Sequence, residues 1–193
     1  RVLFRSVMIK FLQKLFRSKK NIFKDKTNFK ELISNKEIQE LFNSFSSYSR
    51  EAELRFVGGC IRKIISNEEV DDLDLSTNLK PENVIEILKK NKIRFYETGI
   101  EHGTITAIIN KKSFEITSLR KDIKTDGRHA EVVYTKDWLE DASRRDFSIN
   151  AIYSDIDGNL FDPFNGKKDL MDGVVKFIGD PAIRIKEDYL RIL

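Results

Sequence analysis

Asp72-Leu73-Asp74 places two carboxylates two positions apart. In a β-strand such residues point to one face while Leu73 packs on the other. Paired carboxylate oxygens suit a divalent cation, and Mg²⁺ takes one or two carboxylates and completes its shell with water and substrate phosphates. The same pattern also occurs in solvated surface turns. Upstream, Gly58-Gly59 precedes a short apolar run with Arg62 one turn in. Glycines let backbone N–H groups approach a phosphate, a helix start favours an anion, and a guanidinium adds a charge-assisted contact. A glycine pair is also a simple turn. The spacing joins the two features: about ten residues separate Arg62 from Asp72, so a phosphate cradle and a metal pair can flank one nucleotide.

These residues need elements to hold them. Leu54, Phe56 and Val57 read as a strand running into the glycine turn, and Ile61, Ile64 and Ile65 as a short helix after it. Leu73 and Leu75 alternate with Asp72 and Asp74, which predicts a strand. Pro81 opens a helix through Val84, Ile85 and Leu88 to Lys89-Lys90. Ile93 to Tyr96, Thr104 to Ile109 and Phe114 to Leu119 are β-rich, with a turn over Asn110 to Ser113. Asp122 to Ala130 reads as a mobile loop, Glu131 to Thr135 as a strand, and Trp138 to Ser143 as a helix with Trp138 in the core. Asp157-Gly158 signals a hairpin between Ile152 and Phe161. A last helix is expected from near Arg184 and still running at Leu193. Strands interleaved with helices and joined partly by hairpins predict an α+β domain with a mixed sheet.

The chain has 193 residues, 40% hydrophobic and 34% charged, enough apolar side chains for a core and too many for a disordered tract. The single cysteine, Cys60, excludes an internal disulfide or a multi-thiolate zinc site, and a cytoplasmic setting is expected. No apolar run approaches the eighteen or so residues that span a bilayer. Residues 1–30 hold ten Lys and Arg against the single Asp25, a local +9, while 25 basic and 30 acidic residues follow. This arm suits a phosphate backbone. An upstream translated stretch, with Met8 as the start, fits it too, as does a short amphipathic helix through Met8, Phe11, Leu12, Leu15 and Phe16. Residues 18–35 read as a linker, and Ile38, Leu41, Phe42 and Phe45 as a helix before a compact domain starting near Glu51.

Five segments in order carry a resemblance: Gly58-Gly59-Cys60-Ile61-Arg62, Asp72-Leu73-Asp74-Leu75-Ser76-Thr77, Arg144-Arg145-Asp146-Phe147-Ser148-Ile149-Asn150-Ala151, Asp162-Pro163-Phe164-Asn165-Gly166 and Glu187-Asp188-Tyr189-Leu190-Arg191. The series resembles that of the class II CCA-adding enzymes and bacterial poly(A) polymerases, over roughly residues 54–193. The resemblance implies a DNA-polymerase-β-like nucleotidyltransferase head, residues 51–180, preceded by a basic arm, linker and helix (1–50) and followed by the start of a helical neck (181–193). It implies a template-independent tRNA nucleotidyltransferase adding C and A to the tRNA 3′ end from CTP and ATP, with Mg²⁺ on Asp72 and Asp74. Gly59 and Arg62 would hold the triphosphate, and Arg145 and Asp146 the ribose and phosphates. A third carboxylate, Glu115, and a loop flanked by Arg120, Arg128 and His129 also follow from it. The alternatives are an A-adding polymerase of the same family and a non-catalytic nucleotide-binding module.

Asp188 and Arg191 stand three apart and would share one face of a helix. Asp188 can accept from the exocyclic amino group of cytosine or adenine while Arg191 donates to the neighbouring ring nitrogen. Uracil and guanine oppose acceptor to acceptor and donor to donor. Lys63 stands where the family usually has an aspartate, Asn165 replaces a common glycine and Ser148 a common threonine.

Overall fold

The computed structural model describes residues 27–70, 72–123 and 131–192. The basic arm through Lys26, and the loop residues Arg128 and His129, lie outside the described residues. Helices α1 (Thr27–Ser34) and α2 (Lys36–Ser46) come first, followed by β1 (Leu54–Val57), α3 (Gly59–Ser66), β2 (Asp74–Thr77) and α4 (Pro81–Lys90). Strands β3 (Arg94–Gly99), β4 (Thr104–Ile109), β5 (Lys112–Ser118), β6 (Arg120–Ile123) and β7 (Glu131–Tyr134) come next. Helix α5 (Trp138–Arg144), β8 (Tyr153–Ser154), β9 (Leu160–Phe161), α6 (Gly166–Met171) and α7 (Pro181–Glu187) complete the order. No helix among the described residues is long and apolar enough to cross a membrane.

Seven strands form a mixed sheet in the order β3-β4-β5-β2-β1-β8-β9, and β6 pairs with β7 in a separate ribbon. Only β2 and β5 run parallel within the seven; β1 is antiparallel to both of its neighbours, β2 and β8. Period-2 alternation divides the sheet into two faces. Phe56, Leu75, Ile105, Ala107, Phe114 and Ile116 face a core shared with Phe29, Ile38, Leu41 and Phe45 of α1 and α2, Ile61 and Ile64 of α3, and Ile87 and Leu88 of α4. The expected α+β class with packed helices is therefore met. On the opposite face, over β1 and β8, Val57 and Tyr153 pack with Trp138 and Ala142 of α5. Trp138 is a core residue as expected, with its ring edge-on to Tyr153 at 5.3 Å and the Arg55 guanidinium 4.0 Å from its centroid.

Local chemistry explains the boundaries. Asn35 caps α2 by accepting from Glu37 N–H at 3.0 Å, and Asp137 caps α5 by accepting from Leu139 N–H at 2.8 Å. Pro81 occupies the start of α4, and the β4–β5 turn places Asn110 and Lys111 at φ 49° and 70°, the left-handed pair of a two-residue hairpin. Asn165 sits at φ 59°, a left-handed position that asparagine tolerates.

Two expectations are corrected here. Residues 27–34, read as linker, form α1, because Phe29 is fully buried against the core and its ring meets Phe56 edge-on at 6.3 Å. The last helix does not run through Asp188 and Arg191. Helix α7 ends at Glu187, Asp188 is extended (φ −154°, ψ 109°), and a separate 3-10 turn follows over Tyr189–Ile192. The break has a local cause: Asp188 Oδ1 accepts from Leu190 N–H at 2.9 Å, capping a new turn instead of continuing the old one.

Candidate active site

Antiparallel pairing of Phe56 with Leu75 sets the end of β1 against the start of β2, so the glycine turn and Asp74 become neighbours. Gly58 has φ 67° and ψ −123°, a conformation open to glycine, and a Cβ built there would stand 4.0 Å from both Asp74 Oδ2 and Arg145 Nη1. Cys60, on the first turn of α3, points its thiol at Val57 O (3.1 Å) and Asp74 O (3.7 Å), joining the turn to β2. Burial pushes that thiol's pKa up to about 12, so it is a packing group and not a nucleophile.

The strand expected through Asp72-Leu73-Asp74 begins only at Asp74, because β1 turns away at Gly58 and β5 first pairs at Glu115. Asp72 is exposed and lies in the segment leading into the strand. It is nonetheless close enough to Asp74 for their like charges to couple. Desolvation raises the Asp74 pKa, Arg145 pulls it back, Asp72 raises it further and Arg62 lowers it, with a net rise. Glu115 is the parallel partner of Asp74 and shares its face. Among the described residues, however, no three acidic, imidazole or thiolate side chains converge into a metal cluster. The expected third carboxylate thus stands on the correct strand without completing a three-ligand cage. The hard oxygens of Asp74 beside the glycine turn, with Asp72 near enough for their charges to couple, match the donor set of Mg²⁺ that finishes its shell with water and phosphate oxygens.

Behind the carboxylates lies a network whose centre carries no mark in the sequence. Asp141, 1% exposed, accepts from Arg144 Nε (2.9 Å), from Arg145 Nε and Nη2 (both 3.3 Å), from Tyr153 O–H (2.7 Å) and from the Arg120 amide (3.3 Å). Arg145 also donates to Tyr153 Oη at 2.9 Å and to Asn150 O at 3.3 Å. These bonds aim one end of its guanidinium at Gly58 and Asp74. Asn150 accepts from Arg62 Nη1 and donates to Asp146 Oδ1 at 2.8 Å, while Asp146 Oδ1 also accepts from Phe147 N–H at 2.7 Å. Asp146 therefore shapes the 3-10 turn Ser148–Asn150 and reaches Arg62 through Asn150. Asp141, Asn150 and Tyr153 were not singled out from sequence; a carboxylate one helical turn before an arginine was the only available signal for Asp141.

Burial alone would raise the pKa of Asp141, but Arg145, Arg144 and the Tyr153 hydroxyl outweigh it and leave it below the usual aspartate value. With the folded pKa under the unfolded one, the carboxylate stabilises the fold above the unfolded value. That stabilisation fades as pH falls through the folded value. The thermal midpoint is expected to drop below about pH 4, and Asp141→Asn should flatten that acid limb in melts recorded across pH.

A second support is steric. A Cβ on Gly166, at the start of α6, would stand 2.0 Å from Ser148 O and 2.9 Å from Ile152 Cγ1. Gly166→Ala must displace the turn that carries Asn150. We expect a loss of about 2–3 kcal/mol or more in chemical unfolding.

The remaining site residues make local contacts. Arg191 Nη1 donates to Arg184 O at 2.7 Å and to Glu187 Oε2 at 3.0 Å, and Asp188 caps its own turn. The expectation that one helical face presents both is therefore not met.

Residues 54–176 match the model of the Poly A polymerase head domain. The chain belongs to that family. It is 45% identical over 142 residues to the CCA tRNA nucleotidyltransferase 1, mitochondrial, of Danio rerio, covering 73% of this chain and 33% of that protein. The Homo sapiens protein of the same name is 47% identical over the same coverage. The CCA-adding enzyme of Lactobacillus helveticus (strain DPC 4571) is 38% identical over 143 residues, 73% of this chain and 35% of the enzyme. The chain thus spans about a third of the length of the curated relatives it matches. Among solved structures, the Bacillus stearothermophilus CCA-adding enzyme in complex with CTP superposes with a TM-score of 0.71 at 27% identity, covering 86% of this chain and 38% of that one. A tRNA nucleotidyltransferase complexed with a primer tRNA and an incoming ATP analog gives 0.59 at 28% identity, over 74% and 40%.

Proposed function

We propose that this chain is the catalytic head of a tRNA nucleotidyltransferase that adds C and A to tRNA 3′ ends from CTP and ATP, with residues 51–180 as the head and 181–193 as the start of a neck. The observation that carries the reading is the meeting of three unlike groups at one point: the Gly58 turn, Asp74 and Arg145. Glycine admits the triphosphate, the carboxylates hold cations, and the guanidinium answers negative charge.

Asp72 and Asp74 would hold Mg²⁺, which when bound lowers the pKa of an attacking hydroxyl and neutralises charge on the phosphates. Gly59 opens the floor of the cradle at the start of α3. Arg62, steadied by Asn150, faces it; a Cβ on Gly59 would lie 3.9 Å from Arg62 Nη2. Arg145, held by Asp141 and Tyr153, fixes a positive charge beside Asp74 that needs no reorganisation when phosphate charge shifts. Asp146 acts through Asn150, positioning Arg62. Base selection by Asp188 and Arg191 requires Arg191 to leave Glu187, and a bound C or A offers it a replacement acceptor. The single, buried Cys60 suits a reducing compartment such as the cytoplasm; two animal relatives are named as mitochondrial.

The test supplies tRNA lacking its CCA end with CTP or ATP singly and together, in the presence of Mg²⁺. Incorporation of C, then A, is expected. Incorporation of A alone assigns the A-adding activity instead. Metal-dependent CTP binding without transfer assigns a nucleotide-binding module.

A further inference from the structure

The sheet face that carries Asp74 continues well beyond it. Asp74 pairs with Glu115, Glu115 with Thr106 and Thr106 with Tyr96, so these four residues cross β2, β5, β4 and β3 in one row. Directly paired residues point to the same side of a sheet. The row therefore leads from the carboxylates to Tyr96 over three strand spacings, roughly 14 Å. The other side is the buried core, where Leu75, Ile116 and Ile105 form one paired row and Phe114, Ala107 and Phe95 another.

Tyr96 is 60% exposed, a large ring lying open on an otherwise polar surface. Arg94, two residues earlier on β3 and hence on the same face, is exposed as well. The platform beneath is braced by hydroxyl pairs: Thr98 Oγ1 meets Thr106 Oγ1 at 2.7 Å and Thr104 Oγ1 meets Thr117 Oγ1 at 2.9 Å. The first of these pins β3 where its register shifts between Tyr96 and Gly99.

An exposed aromatic beside a guanidinium is the pairing that single-stranded nucleic acid uses, with a base on the ring and a phosphate on the cation. We propose that Tyr96 and Arg94 form a docking subsite for the single-stranded 3′ segment of the acceptor RNA, a few nucleotides behind the end that reacts. The inference rests on the proposed function above, and its occupant follows from continuity. The row ends on the carboxylates at one side, where a 3′ terminus must be presented, and on the ring and cation at the other. Acidic groups lie at the metal end, Asp74 and Glu115, and the guanidinium at the strand end, so the backbone meets positive charge away from the chemistry. The ring stacks any base, so the subsite adds affinity and register without choosing a sequence.

The experiment measures binding of a single-stranded RNA oligomer with a free 3′-hydroxyl to the full chain, with Tyr96→Ala, Tyr96→Phe and Arg94→Ala, across a salt series. Tyr96→Ala is expected to weaken binding about tenfold and Tyr96→Phe to bind like the unaltered chain, since the ring alone is needed. Arg94→Ala should reduce the slope of log affinity against log salt by about one. Equal affinity of the Tyr96→Ala and unaltered chains, with an unchanged salt slope for Arg94→Ala, overturns the subsite and leaves the proposed function standing. No RNA binding by the unaltered chain overturns both. Self-association of the chain that Tyr96→Ala abolishes, in place of RNA binding, assigns the face to a second copy and overturns the proposal. Equal melting temperatures show that each variant retains the sheet.

Discussion

Asp74→Asn is expected to lower nucleotide transfer by about a thousandfold or more while leaving the protein folded. Loss of Asp74 from its proposed role as a metal-holding carboxylate would remove several kcal/mol of charge stabilisation from phosphoryl transfer, and each 1.4 kcal/mol is a factor of about ten. Asn keeps the shape of the side chain and one oxygen, but it lacks the charge that offsets the cost of bringing a divalent cation out of water. The fold should tolerate the change. Asp74 is exposed at the start of β2, makes no side-chain hydrogen bond that β2 depends on, and its charge is disfavoured by desolvation and by Asp72. Single-turnover incorporation from CTP, compared with the thermal midpoint of the same sample, separates the two consequences. A melting temperature several degrees below the unaltered chain would show that Asp74 is structural. Transfer within tenfold of the unaltered chain would remove it from the chemistry.

Asp141→Ala is expected to destabilise by about 3–5 kcal/mol, because it leaves Arg145 without its counter-charge in a site largely closed to water. Against a total stability of about 5–15 kcal/mol, that is a large share. Arg144, Tyr153 and the Arg120 amide lose an acceptor at the same time. Transfer should fall as well, since Arg145 would no longer be held toward Asp74. Urea unfolding gives the stability, and a double-mutant cycle identifies the cause. Asp141→Ala with Arg145→Ala should cost less than the two single changes added, as a buried charge is no longer left unpaired. Strict additivity would mean that the pair does not act together.

Much of this architecture is local and therefore readable. The glycine turn at Gly58, the Pro81 helix and the Asp157-Gly158 hairpin each express a backbone or side-chain preference within a few residues. Strand β4 was read with its observed limits, Thr104–Ile109, because alternation and β-branched residues coincide there. The failures are equally informative. α1 looked like a linker because Phe29 is its only fully buried residue, and the burial is conferred by Phe56 and the helices around it. The helix across Asp188 failed because a capping carboxylate competes with helix continuation, and spacing alone does not say which wins.

By itself, the sequence determined most of the elements between Leu54 and Phe161 and the residue types available for binding phosphate and metal. These are properties of short stretches of chain, governed by turn chemistry, periodicity and charge. The tertiary structure decided the rest: that β1 and β2 run antiparallel and so seat Gly58 against Asp74, that Asp141 is sealed beneath Arg145, and that one cross-strand row links Asp74 to Tyr96. Each of these depends on contacts between residues far apart in the chain. Their energies come from strand register and from burial, which local preference does not specify.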